Sequence, residues 1–239
     1  CVHKPHGDDL ESVASEIISK VIIAARYNAV NHPIDYPTPA KPKPVAREYI
    51  KDRLIAIGAS TGGIPAIERV ISTLPIDCPP IVIAQHISEY FSTSLAMRLN
   101  NKYPQNIYEA QDKQLIEEGC IYLAPGDDHL QVVKKAGRYY CQLNKGKHVC
   151  YQRPSVDVLF ESVAIATKGN ASAALLTGMG RDGADGLLSM KQQGCYTVVQ
   201  DEASSVVWGM PGEAAALGAA DDIVHLNKIA QLLLKSCHV

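Results

Sequence analysis

The sequence predicts an α/β protein: a three-layer, doubly wound, mainly parallel sheet carrying a β-hairpin insertion. Two observations carry that expectation. Residues 54–57, 81–84, 173–176 and 196–199 are short and continuously apolar, the pattern of strands covered on both faces, as parallel strands between helix layers are. Between them, residues 65–74, 91–99, 156–166 and 184–192 place apolar side chains at helical spacing. A chain of 239 residues that is 46% hydrophobic has enough apolar material for a substantial core.

Taken in order, the chain begins with a helical pattern. Asp8 and Asp9 precede Leu10, Val13, Ala14, Ile17, Ile18, Val21 and Ala25, an acidic N-cap followed by one apolar face that fades near Asn28. Pro33, Pro37, Pro39, Pro42 and Pro44 follow, five of the fourteen prolines. Such a density describes either a semi-rigid linker or an ordered loop wrapped on the core. The division expected is 1–28, 29–50 and 51–239. Cys1 in place of Met suggests a piece cut from a longer chain. Residues 121–124 interrupt the strand–helix rhythm, and so do 129–134 and 139–143, whose junction through Ala136 and Gly137 reads as a hairpin on the sheet. Ile223 and Val224 suggest a short strand, and Leu226, Ile229, Ala230 and Leu233 a closing helix.

Composition excludes several classes. With 23 Lys+Arg against 25 Asp+Glu, the net charge of −2 argues against a nucleic-acid binder working by bulk charge. No apolar run approaches the length of a membrane span, and no basic-then-apolar leader opens the sequence, so neither membrane insertion nor secretion is expected. Seven scattered cysteines without a C-x-x-C pair read as reduced cytoplasmic thiols that fill the core.

The most informative segment runs from a buried-strand pattern into Gly58, Ala59, Ser60, Thr61, Gly62 and Gly63. G-x-S-x-G at a strand-to-helix turn suits a nucleophile elbow, in which the serine hydroxyl stands above the sheet. A phosphate-cradling loop or a merely structural turn fits the same spacing. His86 follows the run 81–84, and Asp182 follows the run 173–176. In a parallel sheet the carboxyl ends of all strands share one edge, so Ser60, His86 and Asp182 are expected together there. A hydroxyl is a poor nucleophile until an imidazole takes its proton, and the imidazole needs a carboxylate to fix its tautomer. Alternatively, His86 is a satisfied structural residue and Asp182 caps the following helix. Thr61 could donate near the hydroxyl or cap the next helix. The backbone N–H of Met179, in a glycine-flanked turn, could face an oxyanion. Arg153, ahead of a capped helix start, is free to face the same cleft. Asp127, Asp128 and His129 read as a turn rather than a metal patch, and neither a metal nor a cofactor is assigned.

These segments together resemble the catalytic domain of the CheB chemotaxis protein-glutamate methylesterase family. The likeness rests on residues 55–63 (IAIGASTGG), 85–86 (QH), 122–127 (YLAPGD), 153–160 (RPSVDVLF), 176–183 (LTGMGRDG), 202–204 (EAS) and 207–211 (VWGMP). It implies a Ser60, His86, Asp182 triad supported by Thr61 and the Met179 backbone. It also implies hydrolysis of glutamate γ-methyl esters on the cytoplasmic helices of chemoreceptors, with glutamine deamidation in many members. Two departures stand out: Trp208 where Phe is commoner, and Gly212 where some members carry a basic residue. Val2, His3, Lys4 and Pro5 with the helix after them resemble the end of a response-regulator receiver domain, which implies an upstream receiver and its histidine kinase. With the phosphoacceptor aspartate absent, the chain is expected to be active without a phosphodonor. The alternative from another class is a non-catalytic module that binds a receptor or nucleotide along the glycine-rich edge.

Overall fold

The run Leu54–Ala59 is buried at every position and forms β1, the middle strand of the main sheet. A computed structural model describes residues 49–238; the expected helix within 1–28, and nearly all of the expected linker, lie outside the described residues. After β1 come α1 (Gly63–Ile71), β2 (Ile81–Gln85), α2 (Glu89–Lys102), β3 (Asn106–Glu109) and β4 (Cys120–Leu123). The chain continues through β5 (His129–Lys135), β6 (Arg138–Asn144), α3 (Val156–Thr167), β7 (Ala171–Leu175) and α4 (Ala184–Gln192). It closes with β8 (Tyr196–Gln200), α5 (Met210–Ala216), β9 (Asp222–Val224) and α6 (Leu226–Ser236).

Seven strands make one sheet in the order β3-β4-β2-β1-β7-β8-β9, and every neighbouring pair is parallel. The run at 121–124, which seemed to break the rhythm, is a regular member, with Ile81 opposite Ile121 and Ile83 opposite Leu123. Alternate residues of β1 serve different layers. Leu54 and Ala56 belong to the core that includes Val156, Leu159 and Phe160 of α3, while α1 and α6 pack together on the other side. Ile55, Ile57, Ile81 and Ile83 are completely buried, and each such side chain contributes about 1.5–3 kcal/mol. None of the described helices is long and apolar enough to cross a membrane.

The hairpin forms as expected, with Ala136 (φ 48°) and Gly137 (φ 80°) both left-handed between the paired Lys135 and Arg138. Two left-handed residues in a two-residue loop make the turn whose twist matches antiparallel strands. It is not laid on the main sheet, however. β5 and β6 form a separate ribbon that packs on α3, with Val132 N–H donating to Ser162 Oγ at 2.9 Å. The sheet, α4 and this ribbon cover most of α3, leaving Glu161 and Ile165 on its exposed strip.

β1 is where the winding reverses. The chain builds outward from it through β2 to β4 and β3 on one side, then returns to add β7, β8 and β9 on the other. At such a switch point the loops leaving two adjacent strand ends diverge and open a crevice.

Candidate active site

Ser60 leaves β1 at that crevice. Its backbone N–H donates to Thr177 O at 3.0 Å, and its carbonyl accepts from Gly63 N–H at 2.8 Å, closing a tight turn into α1. Gly62 sits in the turn at φ 77°, and a Cβ there would also come within 2.5 Å of Val206. Gly58 serves a different purpose: a Cβ would collide with Val156, so its absence lets the start of α3 lie against the end of β1. Across the sheet, Gln85 at the end of β2 holds two functional residues at once. Its Nε2 donates to Ser60 O and to His86 O, each at 3.0 Å, and His86 N–H donates to Ala59 O at 3.1 Å.

The three residues expected on one edge meet there. His86 Nδ1 is 2.9 Å from Ser60 Oγ, and His86 Nε2 is 2.6 Å from Asp182 Oδ2. Asp182 is 2% exposed and accepts three further bonds. Val156 N–H donates to Oδ2 at 2.7 Å; Asp157 N–H donates to Oδ1 at 3.1 Å, and Ser155 Oγ–H to Oδ1 at 2.7 Å. The expectation that Asp182 could cap the helix after it therefore fails: Gly183 caps α4 without a side-chain bond, and Asp182 closes the first turn of α3 instead. Orphan amides and the positive end of the helix dipole stabilise an anion at that position. Burial alone would raise the Asp182 carboxyl, but the hydrogen bond and charge of His86 with the α3 amides hold it below the usual carboxylate range.

The tautomer follows from the bonding. An ionised Asp182 can only accept, so the imidazole proton lies on Nε2 and the Nδ1 lone pair faces the serine hydroxyl. This is the reverse of the serine-protease arrangement, in which Nε2 takes the proton and Nδ1–H faces the aspartate. Either nitrogen can accept a proton, and the geometry here selects Nδ1.

The supporting positions divide. Among the described residues the N–H groups of Thr61 and Met179 donate to no protein acceptor. Thr61 follows Ser60. Met179 follows Gly178, where a Cβ would stand 2.8 Å from Ser60 Cβ. The Thr61 side chain is exposed and caps nothing, the N-cap of α1 being Gly62. Arg153 is not free as expected. Its Nε donates to Asp127 Oδ1 at 3.0 Å and its Nη1 to Gly146 O at 2.8 Å, and this pairing holds the Asp127 carboxyl below its ordinary range. His129, beside that turn, is buried between Ser155 N–H and Lys147 O. Ser155 and Gln85 were not singled out by sequence reasoning. The serine lay within a recognised helix start, and only the fold reveals that the cap serves a carboxylate from another loop.

Residues 55–233 match the family model described as CheB methylesterase. The chain belongs to the CheB methylesterase family. It is 48% identical over 233 residues to a Hahella chejuensis protein named protein-glutamate methylesterase/protein-glutamine glutaminase 1, covering 93% of this chain and 64% of the relative. A Pseudomonas aeruginosa protein of the same description, numbered 2, is 42% identical over 229 residues, covering 96% and 65%. The chain thus spans just under two thirds of the length of these curated relatives. The crystal structure of the Thermotoga maritima CheB methylesterase catalytic domain superimposes with a TM-score of 0.75 at 35% identity, covering 78% of this chain and 99% of that one. The two departures from the CheB pattern are neighbours in space: a Cβ at Gly212 would press on the Trp208 ring at 3.1 Å, whose Nε1 is tied to Gln200 O at 3.0 Å. The larger ring occupies the space that a side chain at 212 would need.

Proposed function

We propose that this chain is a serine hydrolase that removes γ-methyl groups from glutamyl esters on the cytoplasmic helices of chemoreceptors, working in the cytoplasm, and that it also deamidates receptor glutamines. The hydrogen-bonded line from Ser60 Oγ through His86 to Asp182 carries the reading. The names of the relatives support both activities, and the family match at 55–233 supports residues 51–239 as the catalytic unit. Residues 1–28 are read as the end of a receiver domain and 29–50 as the linker.

In the first step Ser60 Oγ attacks the ester carbonyl while His86 Nδ1 takes its proton. Asp182 stabilises the imidazolium that forms. The oxyanion lies against the N–H groups of Thr61 and Met179, and removing one such donor typically costs about 10²–10³ in rate. The imidazolium then protonates departing methanol, and a water activated by the same nitrogen releases glutamate from the acyl-enzyme. Methanol release from methylated receptor membranes tests the reading. The wild-type chain should release it and Ser60→Ala should not. Undiminished release by the variant would exclude Ser60 as nucleophile.

A further inference from the structure

Asp157 is a buried carboxyl that this reaction leaves unused. It lies in the first turn of α3, 4% exposed. Gly186 N–H of α4 donates to its Oδ1 at 2.8 Å, and the Cys150 thiol reaches its Oδ2 at 3.7 Å. The two helices approach this closely because residue 186 is glycine: a Cβ there would lie 3.0 Å from the Asp157 Cα and carbonyl oxygen. Ligating atoms of Cys150, Asp157 and Asp182 all lie within 4.8 Å of one another, so the two carboxyls are close neighbours. Two carboxylates so close in a dry pocket do not both ionise without a cation to separate them. His86 stands on Asp182. Arg181, in the same loop as Asp182, is more than half exposed and is paired with Asp185 at 2.6 Å. Asp182 gathers an imidazole, a hydroxyl and two amides, whereas Asp157 has one amide and a thiol. The shared proton therefore belongs to Asp157.

We propose that Asp157 is a positioning residue that works as a neutral carboxylic acid, donating its proton to Asp182 and so fixing the carboxylate that orients His86. The inference rests on the hydrolase reading. Burial foremost, with the negative charge of Asp182 added, raises the Asp157 pKa to about 7, so the acid form is lost as pH passes through neutrality. Its ionisation sets a second negative charge against Asp182 and loosens the hold on the imidazole. The ionisable groups around it are Asp182 and Arg181 in the loop before α4, Asp185 in the first turn of α4, and Cys150 in the loop before α3. Burial pushes the Cys150 thiol up to about 12, so it stays protonated throughout.

The test is kcat and KM for methanol release from about pH 5.5 to about 8.5. Wild type should lose kcat on the alkaline side. Asp157→Asn keeps a donor towards Asp182 but cannot ionise, and should move that limb upward by about one pH unit or more. Asp157→Ala should lower kcat about tenfold with KM unmoved, the kinetic equivalent of one charge-assisted hydrogen bond, and Asn should recover most of that loss. Superimposable profiles for wild type and Asp157→Asn, or an unimpaired Ala variant, overturn the proposal. Infrared difference spectra of wild type against Asp157→Asn give a readout independent of turnover: a carboxylic-acid C=O band should bleach as pH rises through neutrality. Absence of that band at every pH overturns the proposal even if the Ala variant fails to fold. A wild-type chain that releases no methanol removes the hydrolase reading and the positioning role with it, while the infrared titration still reports whether Asp157 holds the proton.

Discussion

Ser155 donates its hydroxyl to Asp182 Oδ1 at 2.7 Å while accepting from Val158 N–H as the cap of α3. One side chain thus joins the start of a helix to the carboxylate that holds His86. Ser155→Ala should lower kcat about tenfold with little change in KM. It should also reduce stability by about 1 kcal/mol, the usual cost of a lost N-cap. Steady-state methanol release and urea denaturation measure the two effects.

Asp182→Asn should reduce kcat by about 10³–10⁴. An amide presenting its NH2 to Nε2 favours the wrong tautomer, and one presenting its oxygen offers no charge to the imidazolium. KM should move far less than kcat, because the carboxylate lies behind the imidazole and away from substrate.

Gln85→Leu should impair folding and turnover together. It removes the donor that the Ser60 and His86 carbonyls share; Ser60 O keeps Gly63 N–H, whereas the His86 carbonyl loses its bond to Gln85, and an unsatisfied buried group costs about 1–3 kcal/mol. Thermal denaturation should show a lower Tm, and kcat should fall because nucleophile and base lose their common brace. A normal Tm with normal kcat would mean that the two strand ends are fixed without Gln85.

Stability should depend on pH through Asp157. Its folded pKa of about 7 stands above the ordinary value of 3.8, so between them the folded state holds a proton that the unfolded state has released. Stability then falls as pH rises across that window. Asp157→Asn has no such proton, and its Tm relative to wild type should climb from about pH 4.5 to about pH 7.5. Asp182, held below its ordinary range, acts in the opposite sense: its contribution is present above its unfolded pKa and is lost as pH falls through the folded one.

Trp208 and Gly212 should behave as a pair. Gly212→Arg crowds the Trp208 ring and should lower Tm, and Trp208→Phe should relieve much of that loss. A double-mutant cycle should give a coupling of at least about 0.5 kcal/mol; strict additivity would mean that the ring yields freely.

Much of this was legible in the sequence because the signals were local and strong. The buried strands read as uninterrupted apolar runs, α4 was bounded at 184–192 as observed, and the turn through Ala136 and Gly137 announced its hairpin. The elements missed were those with little periodic signal. β3 has one fully buried residue, Ile107, among four, and α5 is seven residues long with a proline in its first turn. At the site, parallel-strand reasoning was enough to collect Ser60, His86 and Asp182. It could not reveal that Arg153 is engaged by Asp127, that Asp182 closes α3 rather than α4, or that Gln85 bridges Ser60 and His86. Those relationships depend on loops that meet only after the sheet has closed.

Three of the four donors that hold Asp182 come from the consecutive residues Ser155, Val156 and Asp157. The anchor of the imidazole therefore exists only while that single turn is wound. Fraying there would disarm the base without displacing the serine, so hydrolysis should fail on gentle warming before the sheet itself gives way.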